Sequence, residues 1–125
     1  MSSTAPLAIA IVTFNRSALL DDLLRSASQM TTKPEKIVII DNASTDDTQE
    51  VITRWESVFG PDVLINHLME TNTGGAGGFS EGTRVALELG ADWVWLMDDD
   101  VEILPDALER FAPWMDRFKV IHGRR

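Results

Sequence analysis

Residues 93–100 read Trp-Val-Trp-Leu-Met-Asp-Asp-Asp, five apolar residues followed directly by three acids. The apolar run is rich in β-branched and aromatic side chains and predicts a short strand that is buried on both faces. Three adjacent carboxylates repel one another, whereas a hard divalent cation binds clustered carboxylate oxygens. Any one of these acids alone is typical of a solvated loop that caps a helix. Three together at the end of a buried strand favour a metal or phosphate site.

Length and composition limit the class of protein. The chain has 125 residues, 44% of them hydrophobic, a formal net charge of -9 and no cysteine. These values are typical of one globular domain, and the negative charge opposes binding to nucleic acid. The apolar run from Leu7 to Val12 is too short for a transmembrane segment. We therefore expect a single domain over residues 1–125, cytoplasmic or, within a longer protein, peripheral to the membrane.

Strand-like and helix-like patterns alternate four times along the chain, and the acidic stretch follows the fourth strand-like run. Short apolar runs with β-branched residues predict the strands. These runs are Leu7 to Thr13, Lys36 to Ile40, Val63 to Leu68 and Trp93 to Met97. Strands that alternate with helices form a mostly parallel sheet covered on both faces. The expected fold is therefore α/β, a Rossmann-like sheet of about four strands.

Local signals predict the helix boundaries. Asn15 or Ser17 can cap the first helix through a side-chain oxygen. Ser44, with Asp47 three residues later, fits a capping box for the second helix. Pro113 is expected to interrupt the last helix, because proline lacks the backbone N–H.

Polar residues follow the end of every predicted strand. In a parallel sheet these ends share one edge, and ligands bind there at the point where the strand order reverses. A carboxylate such as Asp41 could accept hydrogen bonds from a base or a sugar at that edge, or it could cap the adjacent helix. The residues expected to converge are Thr13 and Asn15, Asp41 and Asn42, Asn72 with its glycines, and Asp98 to Asp100.

A glycine-rich segment, residues 72–79, reads Asn-Thr-Gly-Gly-Ala-Gly-Gly-Phe and leads into the third helix. Such a loop presents backbone N–H groups and the positive end of a helix dipole, which suits a phosphate. The alternatives are a flexible turn, or close packing of the helix on a strand. Arg16 and Arg84 are candidate diphosphate partners, although both are also typical of exposed helix residues. His67 and His122 have no partner at metal-ligand spacing and are interpreted as structural.

Four blocks taken together resemble the family 2 glycosyltransferases of GT-A fold. The blocks are Ile-Ala-Ile-Val-Thr-Phe-Asn-Arg from Ile9, Ile-Val-Ile-Ile-Asp-Asn-Ala-Ser-Thr-Asp from Ile37, Asn-Thr-Gly-Gly from Asn72 and Leu-Met-Asp-Asp-Asp-Val from Leu96. Their order and spacing match over most of the chain. The form of the third block is similar to the branch that holds galactofuranosyltransferases and some rhamnosyltransferases.

The resemblance implies a nucleotide site. Asp41 would recognise the base, usually uracil, and the turn after the first strand would contact the nucleotide. Asn72 and the first two glycines would lie along the nucleoside. The implied nucleotide-binding residues are Thr13, Asn15, Arg16, Asp41, Asn42, Asn72, Gly74, Gly75 and Asp98.

The resemblance also implies a reaction. Asp98 and Asp100 match the two acids of the DxD motif and would hold Mn2+ or Mg2+ against the diphosphate, and Asp99 would touch the donor sugar. The enzyme would transfer a sugar from a UDP- or dTDP-linked donor to a glycan or a lipid-linked acceptor, with inversion. Cell-wall or polysaccharide biosynthesis is the corresponding process.

The chain departs from the family pattern at its end. A complete catalytic domain continues into an acceptor-binding half with the catalytic base, and no residue here is assignable as that base. We therefore expect a donor-binding half-domain that transfers no sugar unaided. Its fourth strand would be an uncovered edge, which invites self-association.

Three other interpretations stay open. In a dinucleotide-binding domain an acid follows the glycine motif by about twenty residues, as Asp98 follows Gly77, but Ser80 occupies the third glycine position and the motif normally follows the first strand. A phosphotransferase with an Asp nucleophile usually places it after the first strand, which here ends at Thr13. The third is a nucleotide-binding module without catalysis.

Overall fold

Four parallel strands and four helices alternate along residues 6–115, the part of the chain that the computed structural model describes. The strands are β1 (Leu7–Thr13), β2 (Lys36–Asp41), β3 (Leu64–Leu68) and β4 (Trp93–Asp98), and the helices are α1 (Ser17–Ser28), α2 (Thr48–Phe59), α3 (Gly74–Glu88) and α4 (Ala107–Met115). The strand order is β3-β2-β1-β4, with each neighbouring pair parallel. The α/β fold predicted from the alternating pattern is confirmed.

The two faces of the sheet are covered unequally. On one face, large aliphatic side chains of β1 and β2 pack against α1, α2 and α4, as Ile9, Leu23 and Ile52 illustrate, all fully buried. On the other face, α3 alone covers a cluster of smaller residues such as Ala8 and Ala86. Helices on both faces were predicted, and the structure adds that three of the four described helices share one face.

Glycines let α3 lie close to the sheet. A Cβ atom on Gly78 would stand 2.6 Å from Cγ1 of Val12, and one on Gly82 would stand 3.2 Å from Cβ of Ala10. Any larger side chain at Gly78 would therefore collide with β1. The stretch predicted as a loop is in fact the first turns of α3, and part of its glycine content reflects helix-on-strand packing, the alternative left open above.

The prediction that β4 is buried on both faces is wrong. Trp93, Val94 and Trp95 are half-buried, and Leu96 is 45% exposed, whereas Met97 is buried. β4 pairs with β1 on one side and lies at the edge of the described sheet, so its apolar content does not reflect two-sided burial. The expected uncovered edge is present in residues 6–115, and self-association through it stays a prediction.

The predicted caps of α1 and α2 are also wrong. Neither helix has a side-chain cap from its N-cap residue, so Asn15, Ser17 and the Ser44–Asp47 box do not act as expected. Asp46 supplies both caps instead. Its Oδ2 accepts the backbone N–H of Ser17 at 3.3 Å, and its Oδ1 accepts that of Thr48 at 3.0 Å. Burial acts to raise the pKa of Asp46, but the hydrogen bond from the Thr48 hydroxyl, followed by those from the backbone N–H groups of Thr48 and Ser17, outweighs it and holds the pKa below its usual value.

Pro113 lies inside α4 and does not interrupt it before Met115. An internal proline costs about 3 kcal/mol of helix stability. Packing offsets this cost, because Leu108 is buried and Phe111 meets Trp95 edge to face at 5.0 Å between ring centroids. No helix within residues 6–115 is long and apolar enough to cross a membrane. His122 lies outside the described residues.

Candidate functional site

The strand register brings the predicted site residues to one edge of the sheet. Thr13 is aligned with Asp41 across β1 and β2, and Val12 is aligned with Asp98 across β1 and β4. The backbone N–H of Asn42 donates to the carbonyl oxygen of Thr13 at 2.9 Å. The order of the strands reverses between β1 and β4, which is where open α/β sheets bind ligands. The carboxyl ends of β1, β2 and β4 therefore form one continuous polar edge.

Asp41 is fully buried, and the protein itself holds both of its oxygens. Oδ1 accepts the backbone N–H of Ser44 at 2.9 Å, and Oδ2 accepts Nε2 of Gln49 at 2.7 Å. Gln49 exchanges two further hydrogen bonds with the side-chain amide of Asn66. Because a carboxylate only accepts hydrogen bonds, this series of hydrogen bonds fixes the orientation of the amide groups of Gln49 and Asn66. Asp41 thus ends a rigid network across β2, α2 and β3.

Gln49 and Asn66 were missed in the sequence. Asn66 carried a usable signal, since it is an amide inside the apolar third strand, paired with Ile39. A polar side chain in such a position needs a partner when it is shielded from water. Gln49 carried no comparable signal, because glutamine is common in the first turn of exposed helices.

Asn42 ties β2 to the start of α3. The side chain is 2% exposed; Nδ2 donates to the carbonyl oxygen of Gly74 at 2.9 Å, and Oδ1 accepts the N–H and the hydroxyl of Thr73, both at 3.1 Å. Oδ1 of Asn72 accepts the N–H of Gly74 at 2.8 Å. Gly74 has φ +77°, which glycine adopts without strain, and a Cβ on Gly75 would meet nothing within 4 Å. The first two glycines therefore border open space, unlike Gly78.

Asn15 joins the turn after β1 to the turn after β2. Its Oδ1 accepts the backbone N–H of Thr45 at 2.7 Å and of Asp46 at 3.2 Å, while its own N–H donates to Oγ of Ser44 at 2.9 Å. Asn15 and Ala43 both have positive φ, 50° and 67°, in this region. The side chain of Asn15 is thus used within the protein, and a contact with nucleotide through its backbone stays a prediction.

The three acids at the end of β4 differ in burial. Asp99 is 1% exposed, with Oδ2 accepting the hydroxyl of Thr13 at 2.9 Å and Oδ1 lying 3.3 Å from Nη1 of Arg16. Burial raises the pKa of Asp99, the nearby charge of Asp98 adds to this, and Thr13 and Arg16 oppose it. Asp98 is half-buried and Asp100 is exposed. This geometry does not favour the expected contact between Asp99 and a donor sugar.

Asp98 and Asp100 offer two of the ligands that a divalent cation needs. Oδ1 of Asp98 accepts the N–H of Asp99 at 2.9 Å. Within residues 6–115, no three His, Cys, Asp or Glu side chains are grouped so that they could hold a metal ion by themselves. Two carboxylates nevertheless fit Mg2+ or Mn2+ chemically, because such cations are often bound by one or two carboxylates together with substrate phosphates and water.

Arg84, the second diphosphate candidate, and His67, interpreted as structural, share an ion-pair network with Glu81. Arg84 forms ion pairs with Glu81 and Glu88 along α3, and Nε2 of His67 lies 2.9 Å from Oε2 of Glu81. The hydrogen bond from Arg84, followed by the charges of Arg84 and His67, lowers the pKa of Glu81 to about 2. The structure therefore places Arg84 in a surface ion-pair network, and of the two arginines only Arg16 lies at the polar edge.

Known proteins share both the sequence and the fold. The chain is 37% identical to the galactofuranosyltransferase GlfT1 of Mycolicibacterium smegmatis over 101 residues, 80% of this chain and 32% of that protein. TarS of S. aureus in complex with UDP superimposes with a TM-score of 0.69 at 26% identity, covering 89% of this chain and 32% of that one. A mannosyltransferase of Pyrobaculum calidifontis in complex with GDP-Man and Mn2+ gives a TM-score of 0.74 at 20% identity over the same shares.

The chain spans about a third of the length of these relatives. The family model described as glycosyl transferase family 2 matches residues 8–125, nearly the whole sequence. The order of the four sequence blocks, the parallel sheet and this match agree. The chain therefore belongs to glycosyl transferase family 2.

Proposed function

We propose that this chain is the donor-binding part of a glycosyltransferase. It binds a nucleoside diphosphate sugar, with UDP or dTDP as the nucleotide, and the complete protein transfers the sugar to a glycan or a lipid-linked acceptor in cell-wall or polysaccharide biosynthesis. The cytoplasmic location expected from the sequence belongs to the same proposal.

One observation carries the proposal. The register of the sheet sets Asp41, Thr13 and Asp98 side by side at the carboxyl ends of three strands. Asn42 joins this edge to Gly74 at the start of α3, beside the open space in front of Gly75. A buried acid at one end, a half-buried and an exposed acid at the other, and the glycine backbone of α3 nearby match the parts of a nucleoside diphosphate.

The relatives support the same substrate class. GlfT1 is named as a galactofuranosyltransferase, and the TarS structure at 26% identity contains UDP. The mannosyltransferase shares the fold alone, and its structure contains GDP-Man with Mn2+, so the fold admits a divalent cation beside a nucleotide sugar.

Different side chains contact different parts of the donor. Asp41 is the proposed acceptor for the base, which favours a base with an N–H at its edge. Because Ser44 and Gln49 hold both of its oxygens in the chain alone, one of these hydrogen bonds is exchanged when the base binds. At the edge, Asn72, Gly74 and Gly75 face the nucleoside, and Arg16 brings a positive charge to the diphosphate. Thr13 contributes through its hydrogen bond to Asp99 rather than by direct contact. Arg16 is 53% exposed, so it can reach a ligand without leaving Asp99.

Asp98 and Asp100 would hold Mn2+ or Mg2+. When bound, the cation stabilises the negative charge that grows on the leaving nucleoside diphosphate. The acceptor hydroxyl oxygen forms a bond to the anomeric carbon from the opposite face, the bond from that carbon to the phosphate oxygen breaks, and a base takes the hydroxyl proton, so configuration inverts. We assign that base and the acceptor site to the part of the relatives' length that this chain does not cover, since the chain spans about a third of it.

Calorimetric titration of the chain with UDP, with and without Mn2+, tests the proposal. We expect Mn2+ to strengthen UDP binding and Asp100→Ala to remove that gain. Asp92→Ala is the matched control, because Asp92 is an exposed acid just before the opposite end of β4. It removes the same charge and should change the affinity less than about twofold.

The titration also separates the rival interpretations. Tight binding of NAD without metal would indicate a dinucleotide-binding domain. A beryllofluoride adduct on Asp98 would indicate a phosphotransferase. UDP binding to the chain without sugar transfer by the complete protein would leave a nucleotide-binding module.

A further inference from the structure

Asp99, the middle of the three acids, is buried, whereas Asp98 is half-buried and Asp100 is exposed. Asp99 is 1% exposed, and both of its oxygens face the turn after β1, one toward the hydroxyl of Thr13 and the other toward Arg16. Thr13 is itself 1% exposed. The pair Thr13–Asp99 is therefore an internal contact between two strand ends, out of reach of a ligand in the edge.

This contact lies where the chain leaves β4, between the two neighbouring acids. Val12 is aligned with Asp98, so the chain leaves the sheet one residue later, at the level of Thr13. The carboxylate of Asp98 also accepts the N–H of Asp99 at 2.9 Å, which tightens the turn. Asp99 is directed inward, whereas Asp98 is half-buried and Asp100 is exposed.

A second anchor holds the far side of the turn. The N–H of Ile103 donates to the buried hydroxyl of Ser26 in α1 at 3.0 Å, and Ile103 itself is 4% exposed. Asp100 therefore lies on a short segment fixed at Asp99 and again at Ile103. Of these two anchors, the Asp99 contact is the one that also touches Arg16.

We propose that Asp99 is a positioning residue, which acts through Thr13 and Arg16 to set the separation of Asp98 and Asp100 and to hold Arg16 beside them. The inference rests on the proposed function, because it assigns the spacing of the two outer acids to the binding of a divalent cation with a nucleoside diphosphate. It replaces the expected contact of Asp99 with the sugar. A buried carboxylate is costly to maintain, and here the cost is met by the two contacts that order the edge.

Asp99→Asn in the full chain tests this role. The amide keeps the size of the side chain but loses the charge that holds Arg16. We expect the gain in UDP affinity that Mn2+ provides to fall roughly tenfold, as for other residues that orient metal ligands. Metal-free UDP affinity should fall by less, through the loosening of Arg16 alone. In the absence of any ligand, amide hydrogen exchange at Asp98 to Asp100 should become faster.

Variants of Thr13 keep the test decisive if Asp99→Asn unfolds. Thr13→Val removes the hydroxyl and keeps the shape, whereas Thr13→Ser keeps the hydroxyl. We expect Thr13→Val to reproduce the loss of the metal-dependent gain and Thr13→Ser to retain it. If Thr13 acts through Asp99, Thr13→Val together with Asp99→Asn should lose no more than Asp99→Asn alone.

The outcomes are separable. An unchanged metal-dependent gain in both Asp99→Asn and Thr13→Val overturns the inference and leaves the proposed function intact. Equal losses of UDP affinity with and without Mn2+ also overturn it, since they indicate direct contact with the ligand or general damage. If the unaltered chain shows no metal-dependent UDP binding, the proposed function fails and the inference fails with it.

Discussion

The ends of β2 and β4 both carry aspartate, yet they are built differently. At β2 the carboxylate of Asp41 is fully buried and bound by Ser44 and Gln49. At β4 the last strand residue, Asp98, is half-buried, and Asp100 is exposed. β2 lies between two strands, whereas β4 is at the edge of the described sheet.

The difference distinguishes acids that stabilise the fold from acids that are open to a ligand. An interior strand end is surrounded by three loops, so its polar groups are satisfied by protein neighbours and become fixed. An edge strand end has fewer neighbours, which leaves Asp98 half-buried and Asp100 exposed, although Asp99 between them is buried against Thr13. The rigid end suits recognition of an invariant part of a ligand, and the open end suits a cation and a phosphate, whose own oxygens and waters complete the coordination.

Replacing Asp41 and Asp98 in turn should give the largest difference in stability between the two strand ends. Asp41→Ala leaves the N–H of Ser44 and the amide of Gln49 without an acceptor, and should lower the free energy of unfolding by about 3 kcal/mol. Asp98→Ala removes one acceptor at a half-buried position, and should lower it by about 1 kcal/mol. Urea denaturation of both variants measures the difference. Equal losses would show that burial of Asp41 does not distinguish the two strand ends.

The same contrast exists inside α3, between Gly78 and Gly75. A Cβ on Gly78 would stand 2.6 Å from Val12 and 3.3 Å from Nδ2 of Asn42, so Gly78→Ala should destabilise the domain by about 2 kcal/mol. A Cβ on Gly75 meets open space, so Gly75→Ala should be neutral or stabilising by about 0.5 kcal/mol.

Thermal unfolding of this matched pair separates packing from ligand space. If Gly75→Ala stays folded but weakens UDP binding, the glycine serves the nucleotide. Comparable destabilisation by both variants would contradict the assignment of Gly78 to close packing.

The smallest effect is expected at the exposed network of Glu81, which lies outside both strand ends. The pKa of Glu81 is about 2 in the folded protein, against 4.5 for the free group. A lowered pKa means that the unfolded chain binds the proton more readily, so this contribution to stability is present above pH 4.5 and lost as the pH falls toward about 2. Glu81→Gln should flatten that part of the pH profile of urea unfolding.

Added salt should weaken the same dependence, because exposed ion pairs are screened. A Glu81→Gln profile identical to that of the unaltered chain would mean that the pairs with Arg84 and His67 contribute nothing measurable.

Much of the fold was predictable because its signals are local. The four strands and the convergence of Thr13, Asp41 and Asp98 follow from apolar runs and from the rule for parallel sheets. The helix caps were not predictable in the same way. Asp46 caps α1 from another loop, a contact between residues far apart in the sequence. The prediction that β4 is buried on both faces failed for a similar reason, since an apolar run does not reveal whether a strand is central or at an edge.

By itself the sequence determined the α/β class, the family and which residue types lie at the strand ends, because periodicity and motif order are properties of the chain. The tertiary structure was needed to show which of those residues are buried within the protein and which are open to a ligand. It buried Asp99 against Thr13 and Arg16, bound Asp41 to Gln49 and Asn66, and separated the packing glycine Gly78 from the open Gly75. The physical reason is that burial and hydrogen bonding depend on neighbours brought together by the sheet register, and register is set by the packing of the whole domain.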